Sequence, residues 1–207
     1  MGVEGARVRM IRSGPLQAWV SDLGQMPSAT TENARAHNLV IVEAMCCETP
    51  LPARFGQTFC DEATAFAAIS VHSGKLLPAL EMVRGAVEMT VRGLLVKHSS
   101  RTSAPPITGR DYLAQLRERQ KLEEEAEGEA NFLQRRISAV LAPLILAEVR
   151  AKPVSSSRSV SFSHLIATTA VEEYRSRLRV LREDDSALEL LVSGPWAPYS
   201  FAGIPDA

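Results

Sequence analysis

The sequence predicts an α+β fold in two domains, and two observations carry this prediction. Short strand-like runs alternate with longer helical segments along the 207 residues, as expected when helices cover one face of a sheet. A polar stretch rich in Ser, Thr, Pro and Gly interrupts this alternation near the middle of the chain. We therefore expect a domain at residues 1–98, a linker at 99–109 and a second domain at 110–207.

The first domain begins with two strand-like runs, RVRMI and LQAWV, which the turn residues Ser13-Gly14-Pro15 separate. A helix is predicted over Ala29–Met45, because apolar residues recur there at steps of three and four. Either Thr30 or Thr31 can cap its N-terminus. The run LPARFGQTF at residues 51–59 is then predicted to be a strand.

Asp61 can cap the next helix, which is predicted to reach about Val83. The following run, VEMTVRGLLV, has the β-branched content of a strand. The order strand, strand, helix, strand, helix, strand is most simply arranged as a ferredoxin-like domain.

The second domain is predicted to open with a helix over residues 110–150. A strand in SVSFSHLIATTA, a helix in VEEYRSRLRVLRED and a final strand in ALELLVSGPW follow. The acidic run Glu123–Glu129 has little apolar face, which favours a projecting hairpin or a long exposed helix. A solvated helix face without a partner is the alternative.

Charge and hydropathy exclude two classes of protein. With 23 basic and 24 acidic residues the net charge is −1, which gives no electrostatic basis for binding nucleic acid. No run approaches the roughly 18 uncharged apolar residues of a membrane span, and no secretory signal is visible. We therefore expect a cytoplasmic protein, and Cys46, Cys47 and Cys60 fit a reducing compartment as buried hydrophobes.

No pattern in the sequence predicts catalysis. The four histidines are scattered, and no phosphate loop, dinucleotide fingerprint or nucleophile elbow is present. His37 and Glu43 lie six residues apart on a predicted helix and so on different faces. We expect no catalytic, metal or cofactor site.

The strand-like run at 51–59 holds the candidate binding residues Arg54, Phe55 and Phe59. An Arg in an apolar strand must reach the surface or pair with a carboxylate, because an unpaired buried guanidinium is costly. Either this is a central strand with one paired Arg, or it is a strand that binds another domain or a partner.

The C-terminal segment GPWAPYSF combines stiffness with aromatic area. Gly194 tolerates unusual dihedrals, while Pro195 and Pro198 restrict the backbone. Its aromatic residues are Trp196, Tyr199 and Phe201. A pre-ordered segment docks at a lower entropic cost than a flexible tail. We expect a structural role in which Trp196 and Tyr199 fix the C-terminus to the body of the molecule.

Several blocks together resemble the gas vesicle protein F/L family. The ending LLVSGPWAPYSFA resembles that family's G-P-W-P-P-Y-S-F signature, with Ala197 in place of a proline. LPARFG is similar to its L-P-V-R-F-G, and HNLVIVEAM occupies the place of its His-led helix. VEMTVRG and GRDYLAQLRER resemble two further blocks in the same order. Family members open with a Tyr-rich strand, where this chain has MGVEGARVRMI.

The resemblance implies a non-enzymatic accessory protein of gas vesicle assembly with a ferredoxin-like N-terminal domain. Its implied partners are gas vesicle protein A, the small and very hydrophobic major shell protein, and other accessory proteins. It implies a chaperone-like or nucleating role and a place on the vesicle as a minor component. The alternative is a ferredoxin-like module that senses or binds a small molecule.

Overall fold

The computed structural model describes residues 1–95, 109–151, 159–185 and 188–202. The chain divides into two compact units. The first consists of Met1–Glu88 together with the C-terminal segment that starts at Pro195, and the second of Met89–Gly194. Residues 99–108 of the expected linker lie outside the described residues, and the division into domains at 1–98 and 110–207 stays a prediction.

The first unit contains a β-hairpin and two helices. Strands β1 (Val8–Ser13) and β2 (Leu16–Ser21) pair antiparallel, so a first strand is formed from the atypical opening sequence. Helix α1 spans Thr31–Met45 and α2 spans Glu62–Val83. α2 packs against both strands of the hairpin.

Side chains cap the N-termini of both helices, as the sequence predicts. The Asn33 N–H donates to Thr30 Oγ1 at 3.2 Å, which makes Thr30 the cap of α1. The Thr64 N–H donates to Asp61 Oδ1 at 2.7 Å at the start of α2. The Thr64 hydroxyl donates to the same oxygen, and this side-chain hydrogen bond, together with the backbone one, holds the pKa of Asp61 below its usual value.

The prediction of a strand at residues 51–59 is wrong. These residues form a loop with one turn and pair with no strand among the described residues. Pro50 and Pro52 each lack the N–H donor that a ladder requires, and Gly56 adopts a φ of 90°. Arg54, Phe55 and Phe59 therefore lie in a loop and not in a strand.

The second unit is built on a four-stranded sheet in the order β4-β5-β3-β6. Its strands are β3 (Ala86–Leu95), β4 (Ile145–Arg150), β5 (Ser159–Ala167) and β6 (Leu188–Trp196), and its helices are α3 (Gly109–Leu141) and α4 (Val171–Glu183). The division between units falls within β3, after Glu88, and within β6, after Gly194. α3 packs against α4 and β5.

A ferredoxin-like N-terminal domain is not confirmed. The described strands β1 and β2 pair with each other, whereas β3 pairs with β5 and β6. Elements β3-α3-β4-β5-α4-β6 follow the ferredoxin-like order β-α-β-β-α-β instead. The sequence pattern grouped β3 with the strands before it, whereas β3 pairs with β5 and β6.

The helix predicted over residues 110–150 ends earlier than expected. α3 stops at Leu141, a short 3₁₀ turn spans Ala142–Leu144, and β4 begins at Ile145. Pro143 explains this end, since proline cannot donate to the preceding helical turn. β4 pairs antiparallel with β5.

The acidic run is not a fully exposed part of α3. Ala126 and Ala130 are buried at 4% and 5% exposure, and they continue a buried stripe formed by Leu133, Ile137 and Leu141. These five positions follow helical spacing, so the acidic residues lie beside an apolar face. The expectation of a projecting helix is therefore wrong for this stretch.

Candidate functional site

The loop at residues 51–60 exposes Arg54, one of the sequence-predicted binding residues. The Gln57 N–H donates to the Arg54 carbonyl at 3.3 Å, and Gly56 has a φ of 90°. A positive φ at the third residue is typical of a type II turn and favours glycine. Arg54 is exposed, as expected for an Arg that reaches the surface.

His37 of α1 holds this loop in place. His37 Nε2 lies 3.0 Å from the carbonyl oxygen of Ala53, to which the protonated nitrogen donates. The His37 ring also meets the Phe55 ring edge-on, with centroids 5.8 Å apart. Two of the blocks noted in the sequence are thus in contact, and His37 has a structural role.

Phe55 is half-buried, whereas Phe59 is 39% exposed. Phe59 lies next to Cys60 and Asp61 at the entry to α2. The three predicted binding residues therefore belong to one loop that α1 holds. All three cysteines are exposed, which corrects the expectation that they are buried.

Helix α2 carries the apolar surface that sequence reasoning missed. Three of its 22 residues are charged: Glu62, Lys75 and Glu81. Nevertheless, its buried residues are only Ala65 and Val83. Val71 is 78% exposed, Met82 46% and Leu77 41%. A helix that is apolar on all sides is normally buried. Val71 and Met82 lie on one side of the helix and Leu77 about 120° round from them, so the exposed apolar surface extends around the helix. This surface, named here the α2 face, is a candidate partner-binding surface.

The C-terminal segment is attached to the first unit through a buried carboxylate. Glu88 is 5% exposed. Its Oε2 accepts the Ser200 N–H at 2.8 Å, and its Oε1 accepts the Ser200 hydroxyl at 2.7 Å. Both oxygens of a buried charge are therefore satisfied, which this position requires. The pairing joins the VEMTVRG and GPWAPYSF blocks across 112 residues of sequence.

The aromatic residue of this segment that is buried is not one of the two that the sequence suggested. Trp196 is 45% exposed and Tyr199 is 41% exposed, whereas Phe201 is 7% exposed. Ala197 and Pro198 are buried too. Burial of Phe201 and the Ser200–Glu88 hydrogen bonds therefore attach the segment, and Trp196 and Tyr199 contribute less than expected. Partial burial still raises the pKa of Tyr199.

Gly194 and Pro195 prepare the backbone for this attachment. Gly194 has a φ of 116°, which side chains with a Cβ rarely adopt. Its carbonyl accepts a hydrogen bond from Arg175 Nη2 at 2.8 Å. Pro195 follows directly, and the segment ends in a short 3₁₀ turn at Tyr199–Phe201.

A buried polar network in the second unit was not predicted. His164 is fully buried, its Nδ1 lies 2.8 Å from the Tyr174 hydroxyl and its Nε2 lies 3.1 Å from Glu148 Oε2. An ionised Glu148 accepts from Nε2–H, so Tyr174 donates to Nδ1. Burial lowers the pKa of His164, against the opposing effect of Glu148, and raises the pKa of Tyr174. The network stabilises the core, since water does not reach His164.

Within the described residues, no group of three or more His, Cys, Asp or Glu side chains is placed to hold a metal ion. The helices in that part of the chain are all too short or too polar to cross a membrane.

Comparison with known proteins identifies the family. A family model described as "Gas vesicle synthesis protein GvpL/GvpF" matches residues 1–203. "Gas vesicle protein L" of Streptomyces sp. (strain CB03234) is 28% identical over 204 residues, which cover 93% of this chain and 75% of that protein.

Two solved structures share the mixed α/β fold. The crystal structure of the gas vesicle protein GvpF from Anabaena sp. PCC7120 superimposes with a TM-score of 0.77 at 18% identity, over 99% of this chain and 89% of that one. GvpF from Microcystis aeruginosa gives a TM-score of 0.72 at 14% identity, over 97% and 90%. Because the family model spans nearly the whole sequence, the chain belongs to the gas vesicle synthesis protein GvpL/GvpF family.

Proposed function

We propose that this protein is a non-enzymatic accessory factor of gas vesicle assembly that binds the major shell protein, gas vesicle protein A. Membership of the GvpL/GvpF family supports a role in vesicle synthesis. The role would be chaperone-like or nucleating, in the cytoplasm and at the vesicle surface, with other accessory proteins as further partners.

The observation that carries this proposal is the exposed α2 face. Val71, Leu77 and Met82 leave apolar area in water on a helix whose sequence would suit a protein core. Apolar surface of this kind on a folded protein is characteristic of a site for another protein. A small hydrophobic shell subunit has complementary chemistry, because covering both apolar surfaces removes both from water.

Arg54, Phe55 and Phe59 are proposed as a second part of the same binding surface. Their loop leads directly into α2, and His37 and the Gly56 turn fix its conformation. A fixed loop loses little entropy on binding. Exposed Arg54 and half-exposed Phe59 offer the residue types that are enriched at protein interfaces.

The test compares two substitutions of the same kind. Val71→Glu places a charge on the α2 face, whereas Val180→Glu places one on an exposed position of α4, where Val180 is 54% exposed. Both variants should fold, because neither side chain is buried. In a pull-down with co-expressed shell protein, Val71→Glu should lose most of the bound partner and Val180→Glu should retain it. Equal retention by both variants would remove the α2 face from the proposal.

The segment GPWAPYSF is proposed to be structural. Gly194, Pro195 and Pro198 set its backbone, Ser200 and Phe201 attach it, and Trp196 and Tyr199 cover it from outside. Trp196→Ala should lower the melting temperature slightly and leave shell-protein binding intact. Lost binding at an unchanged melting temperature would instead assign Trp196 to a partner.

A further inference from the structure

The second unit has a cationic groove that its fold does not use. A shallow cavity of about 180 Å³ lies between α4 and β6. Half of its lining residues are arginines and the others are aliphatic: Arg175, Arg179, Arg182, Leu178, Leu190 and Val192. Among the described residues no carboxylate lines the cavity, so the charge of this lining is of one sign.

The arginines form one face of α4. Positions 175, 179 and 182 follow steps of four and three, which place them on one side of a helix. Arg175 donates to Glu172 Oε1 at 2.9 Å and to the Gly194 carbonyl at 2.8 Å, so it is held in place. Arg179 and Arg182 are exposed, and in the described part of the chain neither forms an ion pair or a hydrogen bond. Two cations therefore remain without a counter-charge beside the groove.

The floor of the groove is an edge strand. β6 stands at one end of the four-stranded sheet and is hydrogen-bonded to β3 among the described strands. An edge strand has a row of backbone N–H and C=O groups that another chain can pair with. Leu190 and Val192 of β6 line the cavity beneath the arginines, while Leu191 between them is 63% exposed.

We propose that this groove binds an extended acidic peptide segment of a partner protein, which adds to the edge of β6 as a further strand. Backbone pairing would provide affinity, and alternate side chains would face α4. Carboxylates at alternate positions of a strand lie about 7 Å apart, and the long side chains of Arg179 and Arg182, which start about 4.5 Å apart along the helix, can reach two of them. An acidic side chain at every second position therefore matches the arginine face.

Two nearby carboxylates do not oppose this match. Glu172 is already paired with Arg175. Glu189 is exposed and lines a neighbouring cavity together with Arg182, but no ion pair joins the two side chains in the described part of the chain. A free anion would find only a shallow and open site, whereas an extended chain can follow the whole groove.

Fluorescence anisotropy with the full-length protein tests the proposal. The probe is a labelled peptide of eight residues with Glu at alternate positions between Val and Thr. Its two comparison peptides carry Gln in place of Glu, or N-methyl groups on the backbone amides that would face β6. We expect binding of the Glu peptide and at least tenfold weaker binding of both comparison peptides.

Two charge-matched variants of the protein complete the experiment. R179Q/R182Q should weaken binding of the Glu peptide at least tenfold, whereas R12Q/R35Q removes two exposed arginines of the first unit and should have no effect. Equal binding of the Glu and Gln peptides, equal loss in both variants, or full competition by inorganic phosphate at the peptide's concentration would overturn the proposal. Val71→Glu should bind the peptide normally, so this result is independent of shell-protein binding.

Discussion

Helices α2 and α4 differ in how much of their apolar surface is buried within the protein. α4 is amphipathic, and its 13 residues bury Val171, Tyr174, Leu178 and Leu181 at steps of three and four. α2 is apolar on nearly every side, yet its 22 residues bury Ala65 and Val83. α4 thus uses its apolar residues within the fold, whereas α2 has apolar surface beyond what its own unit covers. This excess is the physical basis for assigning α2 to a partner.

The largest loss of stability is expected from shortening a buried apolar side chain of α4. Leu181→Ala removes a side chain that is 6% exposed and leaves a cavity, which should cost about 2–5 kcal/mol of unfolding free energy. Chemical denaturation followed by circular dichroism measures the loss. A cost below about 1 kcal/mol would mean that α4 is not packed more tightly than α2, and the comparison would fail.

The second largest loss of stability is expected when the attachment of the C-terminal segment is broken. Glu88→Ala leaves the Ser200 N–H and hydroxyl without their acceptor, and hydrogen bonds to a charged group contribute about 1.5–3 kcal/mol. Ser200→Ala keeps the backbone hydrogen bond and should cost about 1 kcal/mol. Limited proteolysis at the C-terminus should follow the same order. If Ser200→Ala were as damaging as Glu88→Ala, the hydroxyl rather than the carboxylate would dominate.

Sequence reasoning located the elements whose pattern is local. The β1–β2 hairpin, the caps Thr30 and Asp61, and α4 all follow from residues within one helix turn or one strand pair. Amphipathic spacing and capping are short-range properties, so they are readable without knowing the fold.

Two segments were predicted with the wrong secondary structure, and the cause is the same for both. LPARFGQTF contains aromatic and apolar residues but lies against α1 through His37, and β4 follows directly after a long helix without a break in hydrophobicity. Tertiary contacts decide the state of such apolar runs. β3 was grouped with the strands before it for the same reason, because the strands with which it pairs, β5 and β6, come more than 60 residues later.

The candidate surfaces were predicted only in part. Arg54 was expected either to reach the surface or to pair with a carboxylate, and it is exposed. The α2 face could have been suspected from a run from Ala63 to Gly74 that contains no Asp, Glu, Lys or Arg. Whether such a helix is buried or exposed depends on the rest of the fold. The network of His164 was missed because Glu148 was assigned to a helix rather than to β4.

The stability of the second unit should also depend on pH through its buried histidine, His164. Burial lowers the pKa of His164 in the folded protein, so the unfolded chain takes up a proton first as the pH falls. Stability of the second unit should therefore decrease below about pH 6.5, by at most about 1.4 kcal/mol per pH unit for one histidine. Urea denaturation between pH 7.5 and 5 measures this slope. His164→Gln should flatten it.

The smallest expected effect on stability is the most informative for function. Leu77→Ala is the same substitution as Leu181→Ala, but Leu77 is 41% exposed on the α2 face. Because 41% of its area stays in water in the folded state, the loss of unfolding free energy should be smaller than for Leu181→Ala, below about 1 kcal/mol. Binding of the shell protein should nevertheless weaken, since the same side chain would be covered in the complex. A loss of 2 kcal/mol or more would show that α2 is packed within its own unit, and the apolar excess would then not indicate a partner.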